Sequence, residues 1–141
     1  LAKQLDKKLF LPVDFVVASE LSRDAQPEAA EIDAIPEDKM ILDIGPKTAA
    51  FYAQVIAKAR TIIWNGPLGV YEYEQFASGT EAIAKSIAAC DGVSVIGGGD
   101  SAAVVHNLGL DDKITHISTG GGATLEFLEG IELPGVRSCE A

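Results

Sequence analysis

Three glycine-rich junctions, each placed directly after an apolar run, constrain this chain more than anything else in it: Trp64-Asn65-Gly66-Pro67-Leu68-Gly69-Val70, Ile96-Gly97-Gly98-Gly99-Asp100-Ser101 and Ser118-Thr119-Gly120-Gly121-Gly122-Ala123. In a parallel α/β sheet the loops that leave the strands open at one edge, where backbone N–H groups and helix N-termini can hold phosphate. One such loop is weak evidence. Three in succession make a phosphate-handling site the leading reading.

The runs between the junctions alternate in kind. Apolar runs at Met40–Ile44, Thr61–Trp64, Val93–Ile96 and Ile114–Ser118 read as strands, and Pro46–Lys58, Ser78–Ala89, Gly99–Leu108 and a segment starting at the third glycine cluster read as helices. Pro46 suits a first helical position, and Tyr52, Val55, Ile56 and Ala59 share a face. Ser78 and Glu81 have the spacing of a capping box, followed by Ile83, Ala84, Ile87 and Ala88 on one stripe. The order βαβαβαβα predicts an α/β fold, a Rossmann-like parallel sheet with helices on both faces. Upstream, Leu1–Leu9 reads as the middle of an amphipathic helix and Leu11–Ala18 as a short strand. Ser19–Glu37, with Pro27 and Pro36, reads as an excursion or small hairpin.

At 141 residues and 48% hydrophobic the chain can bury a core as a single unit, and its opening suggests that it begins inside a larger architecture. No apolar run is long enough for a bilayer and no leader pattern is present, so a cytoplasmic protein is expected. Cys90 and Cys139 have no metal-ligand spacing and read as incidental thiols. A net charge of −10 disfavours nucleic acid and anionic membrane as partners. It also leaves a polyanionic ligand short of cations, because none of the three loops contains Lys or Arg.

The loops differ in what they allow. Gly97, Gly99 and Ala102 satisfy a dinucleotide fingerprint, but the strand that should carry its acidic ribose ligand ends in Ser118-Thr119-Gly120, and Asp100 would face a pyrophosphate directly. A Walker loop is excluded by spacing. Asp100 is explained by Mg²⁺, which takes one or two carboxylates and completes its shell with water and phosphate; capping the helix is the competing use of this position. Gly120, Gly121 and Gly122 exceed what one tight turn needs, and close approach of a ligand accounts for the surplus. Asn65 can bond a phosphate oxygen or steady its own turn, and Glu72 can accept ribose hydroxyls or face solvent. Trp64 reads as core, and His106 and His116 as structural.

The strings Trp64–Glu72, Gly97–Ser101 and Ser118–Ala123, with Leu11-Pro-Val-Asp-Phe15, Leu42–Pro46 and Leu133–Val136, closely resemble phosphoglycerate kinase. The resemblance covers nearly the whole chain. It implies the latter part of the nucleotide-binding C-terminal domain of a two-domain kinase, a monomer when full length, without the N-terminal domain that grips the acid substrate. The implied reaction is reversible phosphoryl transfer between 1,3-bisphosphoglycerate and MgADP, giving 3-phosphoglycerate and MgATP in glycolysis. By the resemblance, Glu72 would hold the ribose and Val70 would line the nucleotide pocket. Gly98, Gly99, Asp100 and Ser101 would hold phosphate and magnesium, with Asp100 the metal ligand, and Asn65 would approach the terminal phosphate. Gly99 and Gly122 would donate N–H groups to the phosphoryl group in flight. The basic cluster and the phosphate-binding lysines of the family lie outside this chain, which is therefore expected to be inactive alone. Ile41 stands where many members have glycine near the adenine.

Overall fold

The structure, a computed structural model, describes residues 8–139. The helix expected over Leu1–Leu9 falls on residues outside that span, apart from Lys8 and Leu9, which are not helical. The strands are β1 (Asp14–Ala18), β2 (Glu28–Glu31), β3 (Met40–Ile44), β4 (Thr61–Asn65), β5 (Val93–Gly97) and β6 (His116–Ser118). The helices are α1 (Pro46–Ile56), α2 (Ser78–Ala88), α3 (Gly99–Asn107), α4 (Gly121–Leu128) and the short α5 (Pro134–Arg137). The chain is α/β as its alternation predicts, and the helices and strands from α1 onward fall within a few residues of their expected bounds.

One strand goes elsewhere. The alternation places Met40–Ile44 in the parallel sheet, but β3 pairs antiparallel with β1, in a separate sheet of order β2-β1-β3. Among the described residues only β4, β5 and β6 form the parallel sheet, with Trp64 opposite Ile96 and Asn65 opposite Gly97. An apolar run of five residues specifies burial, not the strand it pairs with. The excursion after β1 is the hairpin partner β2, with Phe15 opposite Ala30.

Helices do flank both faces of the parallel sheet. Trp64 and Ile96 point into a core with Ala49 of α1, Ile83, Ala84 and Ile87 of α2, and Val104 and Val105 of α3. Neighbouring Val95 points the other way, as alternation along a strand requires. There it lines a cavity with Ala123, Thr124 and Phe127 of α4. Ile63, in register with Val95, is 48% exposed on that second face. A smaller cluster of Ala18, Ala25, Leu42 and Phe76 fills the space beside the antiparallel sheet.

The helix starts correct a local expectation. No capping box forms at α2: its N-cap is Ala77, without a side-chain cap bond. The carboxylate of Asp43, from the end of β3, accepts instead from the Gly79 N–H at 2.7 Å and from the Ser78 hydroxyl at 3.5 Å. Asp14 of β1 does the same for α1, accepting from the N–H groups of Lys47 at 2.9 Å and Thr48 at 2.7 Å. A carboxylate inside an apolar strand must find donors or carry a large desolvation cost, and the free N–H groups of a helix start supply them. Burial pushes the Asp43 carboxyl above its ordinary 3.8 by more than its hydrogen bonds draw it back. At Asp14 burial also raises it, but the bonds from Thr48 and Lys47 together outweigh burial and hold it below 3.8.

Candidate functional site

The C-terminal ends of β4, β5 and β6 bring the three glycine junctions to one edge. The Gly98 N–H donates to the Ser118 carbonyl at 3.0 Å, tying the second junction to the third. A Cβ on Gly121 would lie 3.4 Å from the Gly98 Cα, and one on Gly98 would lie 2.8 Å from Asn65 Oδ1. Gly98 also has φ +92°, so both its backbone conformation and the Asn65 amide require glycine there. Asn65, Gly98 and Gly121 thus meet at one point, with two helices beginning beside it.

Those helix starts are open. The first N–H groups of an α-helix, here those of Gly99, Asp100 and Ser101 in α3 and of Gly122 and Ala123 in α4, have no carbonyl one turn earlier to bond. Gly99 and Gly122 are exposed, and a Cβ on either would meet nothing within 4 Å. Neither has a positive φ, so Gly122 does not need a left-handed backbone. The positive ends of the α3 and α4 dipoles meet here, an arrangement that favours an anion without any Lys or Arg in the loops. Gly120 is the N-cap of α4, and its N–H goes to Ser118 Oγ at 3.2 Å.

The first junction is built differently, contrary to the expectation that all three offer backbone donors. The Gly66 N–H donates to Ser101 Oγ at 2.7 Å, the Leu68 and Gly69 N–H groups donate to Thr80 Oγ1 at 3.1 and 3.0 Å, and the Val70 N–H donates to the Leu42 carbonyl at 2.9 Å. Pro67 has no N–H. What this loop presents to a ligand is side chain, the exposed Asn65, rather than backbone. Val70 packs against the cluster around Leu42 and Phe76, with Ile41 half-exposed beside it.

Asp100 is the second residue of α3, whose N-cap is Gly98, and it makes no cap bond; the capping use of this residue is not what the fold shows. Its carboxylate is exposed. Burial first, then the negative charges of Asp100 and Glu72, push the Tyr71 hydroxyl above its ordinary 10.0, which places both carboxylates within electrostatic reach of Tyr71. Among the described residues no three His, Cys, Asp or Glu side chains gather as a metal cluster. A hard cation at Asp100 would take one protein carboxylate and draw its other ligands from water and phosphate, the pattern Mg²⁺ prefers. The donor set fits that ion.

Other expectations resolve more simply. Trp64 is 7% exposed and in the core. His106 and His116 are exposed, with His106 Nδ1 3.3 Å from Asp111 and His116 lining the cavity under α4 together with Ser118 and Gly120. Both cysteines are free. Cys90 is not incidental to packing: its thiol donates to the Ile56 and Ala59 carbonyls at 3.3 and 3.4 Å, beside a cavity of about 530 Å³ at the opposite edge of the sheet. That cavity has no glycine junction in its lining.

The fold is α/β, and two of its helix starts meet beside one exposed carboxylate, an arrangement that favours an anion. The family model of phosphoglycerate kinase matches residues 1–131. The chain is 56% identical over 137 residues to the phosphoglycerate kinase of Clostridium botulinum (strain Langeland), covering 97% of this chain and 34% of that protein. The structure of phosphoglycerate kinase from Coxiella burnetii superposes with a TM-score of 0.89 at 46% identity, over 96% of this chain and 35% of the other. That from Pyrococcus horikoshii superposes at 0.79 and 41%, over 92% and 32%. The chain belongs to the phosphoglycerate kinase family and spans about a third of the length of these relatives. Among the described residues no helix is long and apolar enough to cross a membrane.

Proposed function

We propose that this chain is the nucleotide- and magnesium-holding part of a phosphoglycerate kinase, the latter portion of its C-terminal domain. The reaction is reversible transfer of a phosphoryl group between the acyl phosphate of 1,3-bisphosphoglycerate and MgADP, giving 3-phosphoglycerate, whose carboxyl group is the acceptor in reverse, and MgATP. This is a glycolytic activity of the cytoplasm, and the full-length protein is a monomer. The observation that carries the reading is the meeting of Asn65, Gly98 and Gly121 between the open starts of α3 and α4.

Phosphoryl transfer asks little covalent chemistry of a protein; it runs on positioning and on stabilising charge spread over the equatorial oxygens. The N–H groups of Gly99, Asp100 and Ser101 hold the nucleotide phosphates, with Gly98, Gly120 and Gly121 allowing close approach. Gly99 and Gly122 donate to the phosphoryl group between donor and acceptor. The Asn65 amide orients the terminal phosphate, Val70 lines the nucleotide pocket and Glu72 accepts from the ribose. Mg²⁺, when bound, neutralises charge on the phosphate oxygens, and Asp100 is its protein ligand. The cations that grip the acid substrate belong to sequence outside these 141 residues.

Calorimetric titration of the chain with ADP, with and without Mg²⁺, beside a coupled turnover assay, tests this. Weak, Mg²⁺-dependent binding without turnover is expected. Turnover near that of a complete kinase would overturn the division of labour, and equal affinity with and without Mg²⁺ would remove the metal from Asp100.

A further inference from the structure

Thr80 sits in the first turn of α2, outside every glycine junction, and is fully buried. A buried hydroxyl there ordinarily serves its own helix. Here its oxygen accepts from two successive N–H groups of another segment, Leu68 at 3.1 Å and Gly69 at 3.0 Å. We propose that Thr80 is a positioning residue for the nucleotide site: it latches the Gly66–Val70 loop so that Val70 and Glu72, just beyond the latch, meet the base and ribose in one fixed geometry. The inference rests on the nucleotide reading above.

Three features make the latch specific. Pro67 can contribute no donor, so Leu68 and Gly69 supply the donors in the middle of the loop, and Thr80 takes both. Gly69 lies so close to its surroundings that a Cβ on it would come within 2.3 Å of Asp43 Oδ1 and 2.6 Å of the Phe76 carbonyl, which leaves no room for the loop to settle deeper. The loop ends are held separately, Gly66 by Ser101 Oγ and Val70 by the Leu42 carbonyl. Without the Thr80 oxygen the middle would hold two unpaired N–H groups, and the loop would have to bow outward to hydrate them. Thr80 itself faces Tyr71, Val104 and Leu108 around a small cavity, so it acts on the site through the loop and touches no ligand.

The test compares Thr80→Val, which keeps the shape and removes the acceptor, with Thr80→Ser, which keeps the acceptor, in the intact polypeptide and well below both melting temperatures. Expected for Thr80→Val are faster amide exchange at Leu68 and Gly69 and a dissociation constant for MgADP raised about tenfold, with Thr80→Ser close to wild type. A purely structural threonine would lower the melting temperature of Thr80→Val and leave MgADP affinity unchanged; that outcome overturns the proposal, as does failure of Thr80→Ser to restore affinity. If Thr80→Val does not fold, Thr80→Ala is measured in its place, and wild-type affinity there overturns the proposal equally. A wild-type protein that binds no MgADP sinks the nucleotide reading and this inference together, whereas normal wild-type binding with an indifferent Thr80→Val sinks the inference alone.

Discussion

The first glycine loop and the two that follow share a composition and an edge of the sheet, yet they use glycine for opposite ends. At Gly66–Gly69 the N–H groups are taken up by Ser101 and Thr80, and Gly69 is pressed against Asp43 and Phe76. At Gly99 and Gly122 a Cβ would meet nothing within 4 Å, and the helix-start donors are open. The first loop is a packed wall that holds side chains in place; the other two are a donor surface. A glycine-rich string says that side chains are excluded, and only the surroundings say whether protein or ligand excludes them.

The comparison is broken most severely at Gly122. On the proposed reading, Gly122→Ala in the complete kinase should cut kcat by roughly 10²–10³, an effect comparable to losing one preorganised donor, about 2.7–4 kcal/mol, because the added methyl group would hold the phosphoryl group away from the retained Gly122 N–H. MgADP affinity and melting temperature should hold, since the protein itself has room for the methyl group. Single-turnover kinetics beside a separate binding titration checks this. Normal kcat with poor nucleotide binding would place the third loop in the ground state.

The mirror experiment is Gly69→Ala. Its Cβ would lie 2.5 Å from the Asp43 Cγ and 2.6 Å from a backbone carbonyl, so a loss of about 3 kcal/mol in stability is expected from overpacking. For a chain of this length that corresponds to a fall of roughly 10 °C in melting temperature. Gly99→Ala, with open space around it, should melt with the wild type. Equal melting of the two variants would erase the distinction between wall and donor surface.

Asp100→Ala sharpens the donor side with a smaller effect. Affinity for ADP in the presence of Mg²⁺ should fall by about tenfold or more while the melting curve stays put, because this carboxylate caps no helix. A loss of about 1 kcal/mol in stability with MgADP affinity intact would be the signature of a cap and would return Asp100 to a structural role.

The smallest effect concerns the wall's support. Asp43 has its folded pKa raised above 3.8, so the folded state holds its proton more tightly than the unfolded chain does. Its contribution to stability is full below 3.8 and is lost as pH rises through the folded value. Asp14 behaves oppositely: its folded pKa lies below 3.8, and its contribution is present above 3.8 and lost as pH falls through the folded value. Melting temperature followed from pH 3 upward should therefore lose its downward component above 3.8 in Asp43→Asn and part of its acid limb in Asp14→Asn. Unchanged profiles in both would show that neither carboxylate differs in proton affinity between folded and unfolded chain.

Much of this was legible before any fold was in hand. The periodicities of Pro46–Ile56, Ser78–Ala88 and Gly99–Asn107 and the apolar runs of β4 and β5 delimited those elements, because helix and strand periods are local properties. The strand Met40–Ile44 was legible as a strand and misplaced as to sheet. Thr80 was not legible at all, since a threonine near a helix start carries no mark of the loop that will donate to it. Asp14 and Asp43 did carry a mark: a carboxylate within an apolar strand demands donors, and in each case a helix start follows within the next few dozen residues.

By itself, then, the sequence determined that apolar strands alternate with helices and that three strands run into glycine-rich turns, because side-chain volume and hydrophobic period are written residue by residue. The tertiary structure decided that β3 leaves the parallel sheet for β1, that two aspartates cap helices from a distance, and that Ser101 and Thr80 close one glycine loop while the other two stay open. Each of those outcomes depends on a hydrogen-bond partner far along the chain or in another element, and the pairing of a donor with its acceptor exists only once the chain has brought them within about 3 Å.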